Sequence, residues 1–339
     1  MSMGRPVVTA SPHIEGAVST ATIMWNVVLA LVPLVVAAAY FFGISALLVI
    51  AASCAGALGT ERLFGRGSWT DPGTLRDGSA MITGLLLGLT LPAGMPMWMA
   101  FLGGVFGIGF GKLIFGGLGA NVFNPALLGR AFLQAAFPVA ITTWPAVGDA
   151  ASGFWTLRGD NLALPLMTAR TDAVTAATPL GLMKFEAQGT ELWRLFVGNV
   201  GGSLGETSAI LILLGGAYLA WRQFLNWRIP VSIIAAVAVF SAIMHAIDVR
   251  YPGPLFMVLS GGVLLGAVFM ATDMVTAPVT NGGKWVFGAG IGILVVVIRL
   301  WGGLPEGVMY GILLMNSIVP FINRATQPRV FGTRLRTAA

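Results

Sequence analysis

Long apolar runs separated by short polar connectors dominate the chain. Runs near Ile23 to Phe42, Ile44 to Thr60, Ser79 to Thr90, Trp98 to Phe115 and Pro125 to Ala140 come first. After a long mixed segment come runs near Thr207 to Ala220, Ile229 to Ile247, Leu255 to Ala271, Trp285 to Leu300 and Gly307 to Ile322. Crossing about 30 Å of hydrocarbon takes about 20 apolar residues in a helix. The pattern therefore predicts an all-α integral membrane protein with about ten transmembrane helices in two groups of five, the third and fifth short or interrupted. The expected order is a cytoplasmic segment over 1–22, five helices over 23–140, an extracytoplasmic segment over 141–204, five helices over 205–323 and a basic cytoplasmic tail over 324–339.

Composition agrees with a bilayer as the surroundings. Of 339 residues 56% are apolar and 9% charged, against about 25% charged in a soluble domain, too few to clothe a water-exposed surface. The 19 basic residues are scattered between apolar runs, with no groove-sized cluster, which excludes nucleic acid as a partner. They act instead as topology signals. With a cytoplasmic N-terminus, the inner connectors carry Arg62, Arg66 and Arg76, then Arg222 and Arg228, Lys284, and finally Arg324, Arg329, Arg334 and Arg336, as the positive-inside rule requires. The 141–204 segment then lies outside, its Arg158, Arg170, Lys184 and Arg194 matched by Asp149, Asp160, Asp172, Glu186 and Glu191. Cys54 is the single cysteine, so neither a disulfide within the chain nor a thiolate metal site is expected.

Three strings recur in the same order. Gly84-Leu-Leu-Leu-Gly88 returns as Gly262-Val-Leu-Leu-Gly266, Val105-Phe-Gly-Ile-Gly-Phe-Gly111 as Val286-Phe-Gly-Ala-Gly-Ile-Gly292, and Gly116-Gly-Leu-Gly119 as Gly302-Gly-Leu-Pro305, at offsets of 178, 181 and 186 residues. Collinear matches at slowly growing offset indicate an internal repeat. Five is odd, so the second copy enters the membrane upside down, giving two inverted five-helix repeats on a scaffold like that of urea and ammonium transporters. The glycines at spacing of four are expected to let helix backbones approach closely.

The outer segment contains Asp172-Ala-Val-Thr175-Ala-Ala177-Thr178-Pro-Leu. One reading is an aspartate capping a short helical turn that the proline ends. The other is a modification signal: Asp, two arbitrary residues, Ser or Thr, a small residue, then Ala-Thr is the pattern at which a flavin transferase joins the phosphate of FMN to the last threonine.

Further strings accompany this loop: Ser11-Pro-His-Ile14 with Ser19-Thr20, Thr83-Gly-Leu-Leu-Leu87 with Leu91-Pro92, and the run from Phe110 to Gly119. Asn121-Val-Phe-Asn-Pro-Ala126 with Gly129-Arg130 and Ala271-Thr-Asp273 complete the set. Together they span nearly the whole chain, which resembles the RnfD and NqrB family, membrane components of the Rnf ferredoxin:NAD oxidoreductase and of the sodium-pumping NADH:quinone oxidoreductase. The short segment before Ile23 favours the RnfD branch.

The resemblance implies FMN held covalently by a phosphoester on Thr178, with Asp172, Thr175 and Ala177 read by the flavin transferase. Ala176 departs from the glycine or serine of many members. It also implies an electron-transfer subunit not catalytic alone, coupling electron flow to Na+ or H+ transport in the inner membrane, with a second, noncovalent flavin such as riboflavin expected in the NqrB branch. The implied partners are the outer flavoprotein RnfG together with RnfA, RnfE, RnfB and RnfC. In the NqrB branch the acceptor would be quinone. A passive urea- or ammonium-type channel is the alternative from another class, since fold alone does not choose between them; a channel has no use for a flavin attachment signal.

Polar residues at membrane depth are expensive and invite a functional reading. Asn121 and Asn124-Pro125 stand where a helix begins or breaks, as caps or as cofactor contacts. Asp273 either caps an interrupted helix or binds a cation on an ion path. Lys112 and Arg130 flank the first break, to snorkel to the inner interface or, for Arg130, to neutralise a cofactor phosphate. His13 and His245 have no ligand cluster nearby and are expected at the interfaces.

Overall fold

The computed structural model describes residues 18–65, 73–145, 153–165, 167, 177–198, 200–206 and 208–328. Among these residues there are helices and no strands. Asp172, Thr175 and His13 lie outside them.

Among the described residues the longer helices, in chain order, are the following, besides short ones at Pro138–Thr142, Pro179–Gly181 and Leu192–Val197. α1 (Thr20–Phe42), α2 (Ile44–Phe64), α3 (Ser79–Leu89), α4 (Met97–Ile108, widened into a π-type turn at Gly109–Leu113) and α5 (Pro125–Ala136) form the first half. α6 (Ala209–Trp221), α7 (Arg228–Ile247), α8 (Pro254–Leu259, resumed at Val263–Leu265 and Gly266–Met270), α9 (Asn281–Trp301) and α10 (Val308–Ala325) form the second. α1, α2, α7, α9 and α10 are each long and apolar enough to cross a membrane. α3 has 11 residues and α5 has 12, the two short elements the hydrophobic pattern predicts. α8 differs from its expected continuous run. It breaks at Ser260–Gly262, where Gly261 takes φ +61°, because a left-handed residue cannot continue a right-handed helix.

Leu31, Leu34 and Phe42 of α1, Leu87 of α3, and Phe287 and Val295 of α9 are fully enclosed in one core cluster that runs through both halves. Leu29, Val32, Val36 and Tyr40 on α1 and Val231, Val239 and Ile243 on α7 face outward. An all-helical chain with its apolar side chains both inside and outside is a multi-pass membrane protein.

Close backbone packing holds the helices together. A Cβ at Gly84 would come within 2.5 Å of the Cys54 Cα, and one at Gly288 within 2.6 Å of the Ser232 Cβ. Hydroxyls reinforce these contacts: Ser53 donates to the Gly84 carbonyl at 2.9 Å and Ser232 to the Trp285 carbonyl at 2.7 Å. The glycines paired by the sequence repeat meet different neighbours. Gly107 and Gly111 face Pro125 of α5, whereas Gly288 and Gly292 face α7. Packing alone gives a different correspondence, in which Gly104 abuts the Ser53 carbonyl and Ala57 nitrogen of α2, and Gly292 abuts the Ile233 carbonyl and Val237 nitrogen of α7.

The two ends of the bundle differ. At one, the Trp25 indole donates to the Arg76 carbonyl at 3.1 Å, and Trp227, beneath the Arg228 guanidinium, stands edge-on to Trp285 at 6.0 Å. At the other, Phe154, Asn161 and Gly205 are stitched onto helix ends. Ile44 N–H donates to the Phe154 carbonyl at 2.9 Å, Asn161 donates to the Ala93 and Met95 carbonyls, and Gly205 N–H donates to the Leu89 carbonyl at 2.6 Å.

Candidate functional site

Thr178 stands at the stitched end. Its backbone is extended, Pro179 follows as the first residue of a single helical turn, and its Oγ1 accepts the Gly181 N–H at 3.1 Å. Pro179 occupies the first helical position, which its fixed φ and missing N–H suit; the turn expected after Asp172 lies outside the described residues. Lys184, on the same stretch, donates to the Gly302 and Leu304 carbonyls at 2.5 and 3.1 Å and so ties the turn to the α9–α10 connector. Burial pulls its ammonium below the usual lysine range.

Thr178 and Ala177 line a cavity of about 330 Å³ shared with Arg130, Trp144, Phe185 and Tyr310. Arg130 projects from the buried face of α5 and donates to Glu206 at 3.2 Å and to Glu306 at 2.5 Å. This corrects the sequence expectation for Arg130. It stands across the break between Leu113 and Pro125 from Lys112, but it does not snorkel; it lies within α5, paired with two carboxylates, on the Thr178 cavity. Glu206 comes from the turn ahead of α6 and Glu306 from the α9–α10 connector, so the cluster joins both halves of the chain.

Arg299, in the last turn of α9, completes the arrangement. It donates to the Met257 and Ser260 carbonyls at 2.6 and 2.8 Å, satisfying the C-terminal groups of the first part of α8 where no intrahelical donor reaches them. The positive φ at Gly261 favours glycine there, where a Cβ would also meet the Arg299 Nη2 at 2.9 Å, and a Cβ at Gly262 would meet the Glu206 Oε1 at 2.5 Å and displace that side chain. Burial and the nearby Glu306 carboxylate push the Glu206 carboxyl up to about 8, against the pull of Arg130. The Glu206 Oε2 and the Arg299 Nε are buried without a hydrogen-bond partner.

A second cavity, of about 90 Å³, lies toward the basic end, lined by Asn121, Asn124, Lys112, Thr272 and Asp273. Asn124 Oδ1 caps α5 by accepting from Ala126 and Leu127, while its Nδ2 donates to the Met270 carbonyl at 3.1 Å. Both the capping and a contact across the halves are therefore realised. Asn121 donates to the Phe123 carbonyl and leaves its Oδ1 buried and unpartnered. Asp273 accepts the Val275 N–H at 3.2 Å and the Thr276 hydroxyl at 3.1 Å, which caps its turn. Burial pushes its carboxyl above the usual range.

Lys112 does not snorkel. The π-type turn aims it inward, where its ammonium donates to both Glu61 oxygens at 2.6 and 2.7 Å and to the Ser79 Oγ at 2.6 Å. His245 faces the Tyr251 carbonyl at 2.7 Å. Among the described residues no group of three or more histidine, cysteine or acidic side chains is placed to hold a metal ion.

Sequence reasoning passes over Glu61, Glu206, Arg299 and Glu306. The available signal is their rarity: each is a charged residue at the end of an apolar run in a chain with only 13 acidic residues, where an unpaired charge is costly.

Residues 7–332 match the model of the NQR2, RnfD, RnfE family. The chain is 43% identical over 338 residues to the D-type component of the proton-translocating ferredoxin:NAD(+) oxidoreductase complex of Clostridium ljungdahlii, covering 96% of each chain. It is 40% identical to the corresponding component of the Na(+)-translocating ferredoxin:NAD(+) oxidoreductase complex of Acetobacterium woodii, over 98% of this chain and 97% of the relative. Against that of the ion-translocating oxidoreductase complex of Stutzerimonas stutzeri the identity is 42%, over 93% of this chain and 92% of the relative.

Proposed function

The chain belongs to the NQR2, RnfD, RnfE family, and we infer that it is the RnfD component of an ion-translocating ferredoxin:NAD oxidoreductase complex, an electron-transfer component rather than a complete enzyme. In this reading FMN is joined through its phosphate to Thr178, Ala177 forms part of the attachment signal with Asp172 and Thr175, and a flavin transferase installs the group. What carries the reading is the coincidence of the attachment pattern with a threonine whose side chain opens on a roomy cavity.

The residues there fit such a group. Trp144, Phe185 and Tyr310 supply faces for a planar ring, and Arg130 supplies positive charge, which favours an electron-rich group. Bound flavin supplies one- and two-electron chemistry. The protein's part is to tether it at Thr178, shield it with the α9–α10 connector through Lys184, and set the local charge through Arg130, Glu206 and Glu306.

The Asn124 cavity, at about 90 Å³, offers polar contacts to a noncovalent flavin but would have to widen to admit its ring, since ligand pockets run from about 300 Å³ upward. The free Asn121 Oδ1 offers an acceptor for a ring N–H, and Asn124 is held rigidly by α5 and Met270. Asp273, with Thr272 beside it, serves as the ion-path residue at the same cavity. Supporting the inverted five-helix repeat are the matching order of five and five elements and the equivalent seats of Gly104 on α2 and Gly292 on α7. The basic connectors put the Arg76 end in the cytoplasm, with both termini, and the Thr178 end outside the inner membrane. RnfG, RnfA, RnfE, RnfB and RnfC are the partners that follow from this assignment.

Co-expression with a flavin transferase tests the reading. The wild type should give a fluorescent band in a denaturing gel and Thr178→Val, made in equal amount, none. A non-fluorescent wild type would overturn it.

A further inference from the structure

Arg130 supplies positive charge to the Thr178 cavity, yet it is also the centre of a larger buried cluster. Its guanidinium is divided between Glu306 at 2.5 Å and Glu206 at 3.2 Å, and Arg299 closes the far side against Gly261. Above about pH 8, where Glu206 is ionised, the four groups together carry no net charge. The two carboxylates are not equivalent. Glu306 has the shorter contact and a side chain 18% exposed, whereas that of Glu206 is 4% exposed and has one oxygen that, with only the Ser203 hydroxyl beside it, makes no well-formed hydrogen bond. A buried carboxylate oxygen without a donor is costly, and taking up a proton removes that cost. The cavity floor therefore holds a group able to exist in two charge states, beside the threonine that lines the same space.

We propose that Glu206 binds one proton from the outer aqueous phase when one electron is added to the group carried by Thr178, and releases it when that electron leaves. This rests on the covalent-flavin reading. The electron comes from the complex's own redox reaction, an O–H bond forms on a Glu206 oxygen, and the proton's water carrier is released. The cluster goes from neutral to a single positive charge, cancelling the added electron inside a poorly solvated pocket, where an uncompensated charge would be strongly disfavoured. Glu306 stays ionised on Arg130. The other titratable groups facing the pair are Arg130 of α5, Arg299 of α9, Tyr310 of α10 and Glu186 of the Thr178 segment; the broken α8 presents Gly261, Gly262, Leu265 and Met270 there, none of them titratable. Glu206 is thus a positioning residue for charge, not a redox centre.

Redox-difference infrared spectroscopy of the purified complex in H2O and D2O tests the proposal, with in-gel fluorescence confirming flavin on the same samples. At about pH 9, where Glu206 starts out ionised, reduction of the wild type should raise a neutral-carboxyl C=O band that shifts in D2O. Glu206→Gln should lose that band while keeping the covalent fluorescence. Glu306→Gln, which removes the neighbouring negative charge, should keep it but move its appearance to lower pH. A flavin-loaded wild type without the band, or a band that survives Glu206→Gln, overturns the proposal. A wild type with no covalent flavin removes the underlying reading, and the proposal with it.

Discussion

At the Asn124 cavity Lys112 gives its ammonium protons to both oxygens of Glu61 and to the Ser79 hydroxyl, while at the Thr178 cavity the Arg130 guanidinium is divided between two carboxylates. The first arrangement is one positive charge against one negative, with all three ammonium protons placed. The second leaves a Glu206 oxygen and an Arg299 nitrogen buried and idle. A saturated pair has no state to move to without losing contacts; an unsaturated one has. The difference marks Lys112–Glu61 as a fastener between α2 and the π-type turn of α4, and the Arg130 cluster as a place where charge can change.

Removing one partner from the saturated pair should therefore have the largest effect. Glu61→Gln leaves an enclosed ammonium without its counter-charge, a loss of about 3–5 kcal/mol for a buried pair, read as a large fall in the thermal midpoint of the detergent-solubilised complex. Replacing both residues by methionine should recover most of that fall. If the single variant were as stable as the wild type, Lys112 and Glu61 would not be a fastener.

Gly261→Ala comes next. It forces a left-handed residue to carry a Cβ that meets Leu180 at 2.6 Å and Arg299 at 2.9 Å. Overpacking of this kind costs about 1–3 kcal/mol, and the covalent flavin signal should weaken as well, because the break in α8 forms a wall behind Thr178. Glu306→Gln should be milder, about 1–2 kcal/mol for a lost charged hydrogen bond, since Arg130 keeps Glu206. A thermal shift equal to that of Glu61→Gln would erase the distinction between the cavities. At the small end, Arg194→Ala breaks the exposed Arg194–Glu191 contact within one helical turn and should leave the midpoint unchanged, as isolated surface pairs do.

Much of the fold can be read from the chain because hydrophobic run length reports directly on which segments form long apolar helices. The short α3 and α5 and the cap at Asn124 also follow from local sequence, since proline after asparagine is a local signal. The break in α8 does not, because its apolar composition continues through Gly261-Gly262 and only Arg299, 38 residues later, shows what satisfies the exposed carbonyls. The seat of Arg130 is hidden for a related reason. Its partners stand 76 and 176 residues away, and nothing near Gly129 indicates which end of α5 they occupy. The glycine repeat is visible as strings, but the packing that distinguishes one glycine from the next depends on which helix lies opposite. Thr178 itself is legible through its pattern; the charged floor beneath it is not.

Mass analysis of the peptide containing Thr178, taken from native membranes, tests the central claim most directly. The account predicts a mass increase equal to FMN less one water, located on the Thr178 side chain and absent from the Thr178→Val peptide. An unmodified Thr178 in the assembled, active complex would contradict it.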